Sequence, residues 1–336
     1  MNSYERLMGR LAGQTVDRPP NLSILMGFAA RYAGIPYHEF CLQAGKMVEA
    51  NIRCHEDFGV DIVTVMSDPY GEAVDYGMAV EFPENENPHA LRPLWTDTPN
   101  ADILPMPKIQ DTRRMKERLR AIRLYAERLK GICPIAGWVE GPVAEYCDLR
   151  DINAAMVDFA EEASYVEEIL SKLTHQAIYY SEAQLAAGAD IIGIGDAACS
   201  LLGPVLYKKY GFFYEKSLVE AIHAKGGLVK LHICGNIEPL LPQIAALEAD
   251  IVDVDWMVDF HYAAEILHGH SAVCGNIDPV TILLQRTPEE VKEAVQACLL
   301  AGNETSIISG GCETPPTTPY KNLRAIDEAL SAWSFK

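Results

Sequence analysis

Two short stretches, Leu231-His232-Ile233-Cys234 and Gly310-Gly311-Cys312-Glu313, carry the residue types that hold zinc. An imidazole and thiolates form the borderline-soft donor set that zinc prefers. Side chains alternate along a strand, so His232 and Cys234 share one face while Leu231 and Ile233 share the other. If Cys312 ends another strand of the same closed sheet, three ligands converge and one coordination position stays open. That is the pattern of a catalytic rather than a structural zinc site. The alternative for each residue is a place in the core, because buried cysteines are commonly inert. Against it, Cys312 stands between a glycine pair and a proline-rich loop, and the glycines suggest a close backbone approach.

Residues that must converge need a scaffold, and the chain supplies one in regular alternation. Eight β-branched runs fall at 21–27, 61–67, 133–139, 190–196, 228–234, 251–256, 271–277 and 305–311, with segments of helical apolar spacing between them. Alternating strands and helices imply a parallel sheet, and eight units closing on themselves imply a (β/α)₈ TIM barrel in one domain spanning residues 1–336. No G-x-G-x-x-G follows the first run, which disfavours an open dinucleotide-binding sheet. Residues 1–14 read as an amphipathic helix ahead of the barrel. Residues 68–110, rich in Pro, Asn and Glu, read as a long loop after the second strand, with room for a hairpin. Thr287-Pro288-Glu289-Glu290 marks a helix start by N-cap, first-turn proline and capping box, and Thr318-Pro319 repeats its first two parts. Cys234-Gly235-Asn236-Ile237 and Cys274-Gly275-Asn276-Ile277 echo each other and suggest a shared way of leaving a strand.

In such a barrel the chemistry belongs at the C-terminal strand ends. Asp68, Glu140 and Asp196 end the second, third and fourth runs and offer general acid or base groups, with helix capping as the alternative. Asn236, Trp256 and Asn276 stand at later strand ends as substrate contacts. Lys230 shares the parity of His232 and should meet Asp253 or Asp255 in an internal ion pair below the metal ligands. His268 and His270 precede the seventh strand and so belong to the opposite, stabilising face.

With 28 Lys plus Arg against 47 Asp plus Glu, the formal charge of -19 disfavours nucleic acid and anionic membranes as partners. Charges interrupt the N-terminal apolar runs, no stretch reaches membrane-spanning length, and the nine cysteines lack the spacing of a disulfide framework, so a reducing cytoplasm is expected.

The segments DIVTVMSDPYGEAVDYGMAVEF, GWVEGPVAEY, CGNIDPVTILLQRTPEEV and GGCETPPTTPYKNLRAI resemble the uroporphyrinogen decarboxylase superfamily over essentially the whole chain. The paired H-x-C…C resembles its methylcobalamin:coenzyme M methyltransferase branch. That resemblance places the family aspartate on Asp68 and the family tyrosine on Tyr146, as a substrate contact. It implies Zn²⁺ on His232, Cys234 and Cys312, and methylcobalamin as co-substrate. Because the chain has no D-x-H-x-x-G motif, the corrinoid would arrive on a partner protein, and the methyl group would pass to a thiol-type acceptor. Where decarboxylases carry several arginines, MGFAARYAG keeps only Arg31 and Tyr32. Alternatives are a demethylating enzyme acting on a methoxy or methylamine compound, a uroporphyrinogen decarboxylase, and a non-catalytic corrinoid-protein partner.

Overall fold

The computed structural model describes residues 1–334. Seven parallel strands form one curled sheet: β1 (Val63–Thr64), β4 (Ile135–Glu140), β5 (Ile191–Gly195), β6 (Leu228–Ile233), β7 (Ile251–Val254), β8 (Ala272–Ile277) and β9 (Ile307–Gly310), hydrogen-bonded in that order. Helices follow the strands and cover the outside, the longest being Val166–Ala187 and Arg114–Leu129. Strand β4 is buried at every position, as expected where helices cover one face and the barrel interior fills the other.

The first expected strand, 21–27, is not a regular strand. Pro19 and Pro20 lack N–H donors, the Asn21 amide goes to Asp61 Oδ2 and the Ser23 amide to Asn21 Oδ1, so side chains take the bonds a ladder would use. Residues 20–24 nevertheless act as the eighth stave. Leu22 N donates to Ile308 O, Ile308 N to Pro20 O, and Asp61 N to Asn21 O, which joins β9 to the chain entering β1. The barrel thus closes, and a helix follows at Met26–Ala33.

Helix Ser3–Leu11 packs under the N-terminal end of the barrel. Its Arg6 joins Arg18 in binding the fully buried Asp61, at 2.6 and 2.8 Å. The long loop carries a small antiparallel hairpin, β2 (Val80–Glu81) with β3 (His89–Ala90). Helix Pro288–Ala301 starts with the expected Thr287–Glu290 capping box. Helix Tyr320–Ser331 does not follow that pattern: Pro319 is its N-cap, the Thr318 amide closes a turn on Pro315 O, and the buried Thr318 hydroxyl caps nothing.

The two Cys-Gly-Asn-Ile segments also differ. Cys234 lies just past β6, and Gly235 turns the chain out with φ +87°. Cys274 lies inside β8, whose pairing continues to Ile277, because Gly275 (φ +135°) presses so close to the Val254 carbonyl that a Cβ would stand 2.5 Å from it. Cys274 is accordingly a buried barrel residue.

Candidate metal centre and the barrel mouth

Strand β6 points His232 and Cys234 the same way, and the turn after β9 brings Cys312 to them. His232 Nε2 lies 2.9 Å from Cys234 Sγ, the two sulfurs are 3.6 Å apart, and Cys312 Sγ is 3.9 Å from His232 Nε2. Donors around one tetrahedral zinc, at bond lengths of about 2.0–2.3 Å, stand roughly 3.5–3.8 Å from each other. The sulfur–sulfur edge of 3.6 Å matches, the 3.9 Å edge lies just beyond the range and the 2.9 Å edge opens by a small side-chain shift, so the donor set fits this metal. Gly311 explains how Cys312 gets there: a Cβ on it would sit 2.4 Å from the Trp256 amide nitrogen, so only glycine lets this turn pass the end of β7.

The layer beneath orients the ligands. His232 Nδ1 faces Asp253 Oδ2 at 3.2 Å, a charge contact off the ideal hydrogen-bond direction. The same carboxylate accepts from Lys230 Nζ and, at 3.3 Å, from Ser309 Oγ. The expected internal Lys230 ion pair is therefore with Asp253. Against the cost of burial, Lys230 and His232 hold the Asp253 carboxyl down at about 2. Burial would lower His232, but Asp253 and Cys312 outweigh it and push the imidazole up to about 9. Hydrogen bonds from Cys234 and His232 bring the Cys312 thiol down to about 4, and the thiolate so formed pushes Cys234 up. The pair thus holds one thiolate and one thiol before any metal enters. Asp255 stands beside them, accepting from the Gly235 and Trp256 amides at 2.7 Å each.

The other strand-end residues lie apart from these three. Asp68 is buried and bound by Arg114 at 2.5 Å, Arg118 at 3.3 Å and the Ser67 hydroxyl; these partners overcome burial and keep its carboxyl below the usual range. Asp196 accepts from the Ala144 and Val143 amides at the start of helix Pro142–Arg150, a capping arrangement, while burial pushes it up to about 6. Glu140 accepts from Trp138 Nε1 at 2.9 Å and lines a cavity of about 440 Å³. Tyr146 is fully buried between Trp95 and Phe159, its hydroxyl donating to Asp158, away from the three ligands. Asn236 is exposed and caps a turn through Glu238 N, while Asn276 Nδ2 donates to Val258 O at 2.6 Å and braces the loop after β7. Trp256 remains half exposed at the mouth. Arg31 donates to Pro316 O, and the Tyr32 hydroxyl to Asp57. His268 is exposed ahead of β8, on the opposite face as expected.

Sequence spacing missed the partners of Asp68 and a second acidic group. Arg114 and Arg118, one helical turn apart on helix Arg114–Leu129, are both buried, and that i,i+4 pair was the available signal. Glu72, Glu145 and Asp148 gather near Glu140, and burial pushes all four carboxyls up, Glu72 to about 7. A further buried set, Asp196, Cys199 and Glu215, shares its protons and a hydrogen bond from Tyr207.

The sequence model of the uroporphyrinogen decarboxylase family matches residues 2–333. The chain belongs to that family. Among its relatives is the methylcobamide:CoM methyltransferase MtbA of Methanosarcina mazei, 27% identical over 98% of both chains. MtaA of Methanosarcina barkeri, also a methylcobamide:CoM methyltransferase, is 24% identical over 96% of this chain and 95% of its own. A uroporphyrinogen decarboxylase of Coxiella burnetii is 25% identical over 99% and 96%. The solved structure of a methyltransferase from Methanosarcina mazei superposes with a TM-score of 0.90 at 22% identity, covering 98% of each chain, and so shares the barrel fold. No helix among the described residues of this family member is long and apolar enough to cross a membrane.

Proposed function

We propose that this family member is a zinc-dependent corrinoid methyltransferase, which moves a methyl group between a methylcobamide carried by a partner corrinoid protein and a thiol-type acceptor. The observation that carries it is the convergence of His232 Nε2, Cys234 Sγ and Cys312 Sγ over Asp253. Its similarity to MtbA and MtaA supports the same reading. Those three residues would hold the zinc, which when bound supplies Lewis-acid activation of the acceptor thiol.

The chain's own groups do the rest. With the metal bound, the Asp253 charge facing Nδ1 would favour the imidazole proton there and leave Nε2 for the zinc, and Lys230 and Ser309 keep Asp253 in place. Asp255, whose carboxyl burial raises, is placed to take up the proton released by the acceptor. Trp256 and Met257, half exposed at the mouth, offer an apolar lip to the incoming corrinoid. A decarboxylase binding a polycarboxylate would want free cations at the mouth. Here Arg114 and Arg118 are paired with Asp68, which leaves the exposed Arg92 as the one cation lining the mouth cavity among the described residues. Nine free cysteines suit a reducing, cytoplasmic setting.

Metal analysis of the purified protein beside Cys312→Ala tests the centre. We expect about one zinc per chain in the wild type and a marked loss in the variant, because a three-ligand site depends on each ligand. Equal metal in both, or none in either, overturns it. Loss of methylcobalamin absorbance on adding a thiol then tests the transfer.

A further inference from the structure

On the side of the mouth formed by β1, β4 and β5, the residues that end or follow these strands enclose the cavity of about 440 Å³, a volume typical of small-molecule sites. Its walls are mostly small and apolar, including Pro69, Ala144 and Ala198, yet Glu140, Asp148 and Asp151 also line it. Asp151 is occupied in capping helix Ile152–Ala160. Asp148 is not occupied: its Oδ2 is buried without a hydrogen-bond partner. Glu140, nine-tenths buried, has only its Oε1 engaged, by Trp138, among the described residues. Behind Glu140 a hollow of about 10 Å³, room for one water, is lined by Glu72 and Glu145, and both Glu145 oxygens are buried without partners. The one cation on the cavity wall, Arg92, is exposed.

Buried carboxylates without partners are costly unless something positive joins them. Two candidates present themselves, a metal ion and an organic cation. The carboxylates lining this cavity are not among the described sets whose ligand atoms lie close enough to share one ion. The cavity is also far too large and too apolar for a bare ion. Tyr70 adds an aromatic wall to it. Carboxylates, an aromatic ring and small apolar surfaces together make the surroundings that a methylated ammonium group seeks.

We infer that this cavity binds a methylated ammonium group through Asp148, Glu140 and Tyr70, as the cationic end of a small-molecule ligand. As the seat of a methyl donor or acceptor it rests on the methyl-transfer reading; as a cation site it needs neither zinc nor corrinoid. The loop at Ala197–Leu201 separates it from the metal ligands, for Ser200 Oγ lies 3.4 Å from where a Cβ on Gly235 would stand.

Calorimetric titration with choline, beside its neutral isostere in which a tert-butyl group replaces the trimethylammonium, tests this directly. Choline should bind saturably at one site and the isostere about thirtyfold more weakly or worse, the loss expected when a buried charge partner is removed. Asp148→Asn, which keeps size and shape, should weaken choline to a similar degree while leaving zinc content unchanged. Tyr70→Leu should cost about three- to tenfold. Arg92→Ala, at an exposed position, should strengthen binding and keeps the test decisive if Asp148→Asn does not fold. Equal binding of choline and isostere, no binding of choline, or unaltered affinity in folded Asp148→Asn would overturn the assignment. So would displacement of choline by Mg²⁺ or Ca²⁺ at lower concentration than choline itself requires. None of these outcomes depends on the metal centre, whose own failure would show as missing zinc.

Discussion

The two sides of the barrel mouth bury carboxylates in opposite ways. Under the metal ligands, Asp253 meets Lys230, His232 and Ser309, and its carboxyl is held far below the ordinary range. On the side of β1 and β4, Glu72, Glu140, Glu145 and Asp148 lie together with no ion pair among the described residues, Arg118 acting on Glu72 only through its charge, and burial holds each of them above it. A matched charge is a fixed part, oriented before any ligand comes. An unmatched one is neutralised by a proton until something positive replaces it. Asp68, held by Arg114 and Arg118 after β1, belongs by this measure with the fixed parts.

Removing the cation from the matched side should have the largest effect. Lys230→Met would leave Asp253 with only His232 and the Ser309 hydroxyl beside it in a layer closed to water, and breaking a buried pair in this way costs about 3–5 kcal/mol. Urea unfolding should show the loss directly. A stability within about 1 kcal/mol of wild type would mean the two sides do not differ as described.

Next comes Asp253→Asn, which keeps the shape but removes the charge behind His232 Nδ1. Such outer partners are typically worth about 10–100-fold in metal affinity. Competition with a zinc chelator measures it. An affinity equal to wild type would show that the imidazole is oriented by packing alone.

How much of this was legible before folding follows from the range of each interaction. His232 and Cys234 are two positions apart on one strand, so their shared face follows from backbone alternation, and the close approach at Gly310-Gly311 was visible beside Cys312. The staves all showed as apolar runs, the first at 21–27 included; what the run did not show is that Asn21 and Asp61 divert its backbone bonds into side chains. The acidic group was hidden because Glu72 follows β1, Glu140 ends β4, and Glu145 and Asp148 lie on helix Pro142–Arg150. On that helix Glu145 and Asp148 share a face at i,i+3, while Tyr146, one position on, turns to Asp158. Nothing local distinguishes the two directions.

The unmatched side should announce itself in pH dependence. Glu72 is raised to about 7 by burial, so its contribution is fully present below the ordinary carboxylate range and is lost as pH rises through about 7. Glu72→Gln keeps an acceptor for the Glu140 amide and removes the titration. Its unfolding free energy should fall less than that of wild type between about pH 5 and 8, the two curves separating by on the order of 1–3 kcal/mol. Parallel curves would mean that these carboxyls are solvated or already paired.

The smallest effect belongs to Trp138→Phe. Trp138 Nε1 supplies the single hydrogen bond on Glu140, and that bond favours the ionised carboxylate while burial and the charge of Glu72 oppose it. Phenylalanine keeps most of the ring that packs against Gly193 and Gly195 but loses the donor. The cost should be about 0.5–1.5 kcal/mol and should grow as pH rises, because the bond is worth more to the ionised carboxylate than to the acid. Because the lost donor favours the charged form, the Glu140 carboxyl should titrate higher still and the alkaline midpoint of unfolding should move downward. A cost independent of pH would assign Trp138 to packing alone and leave Glu140 untouched by it.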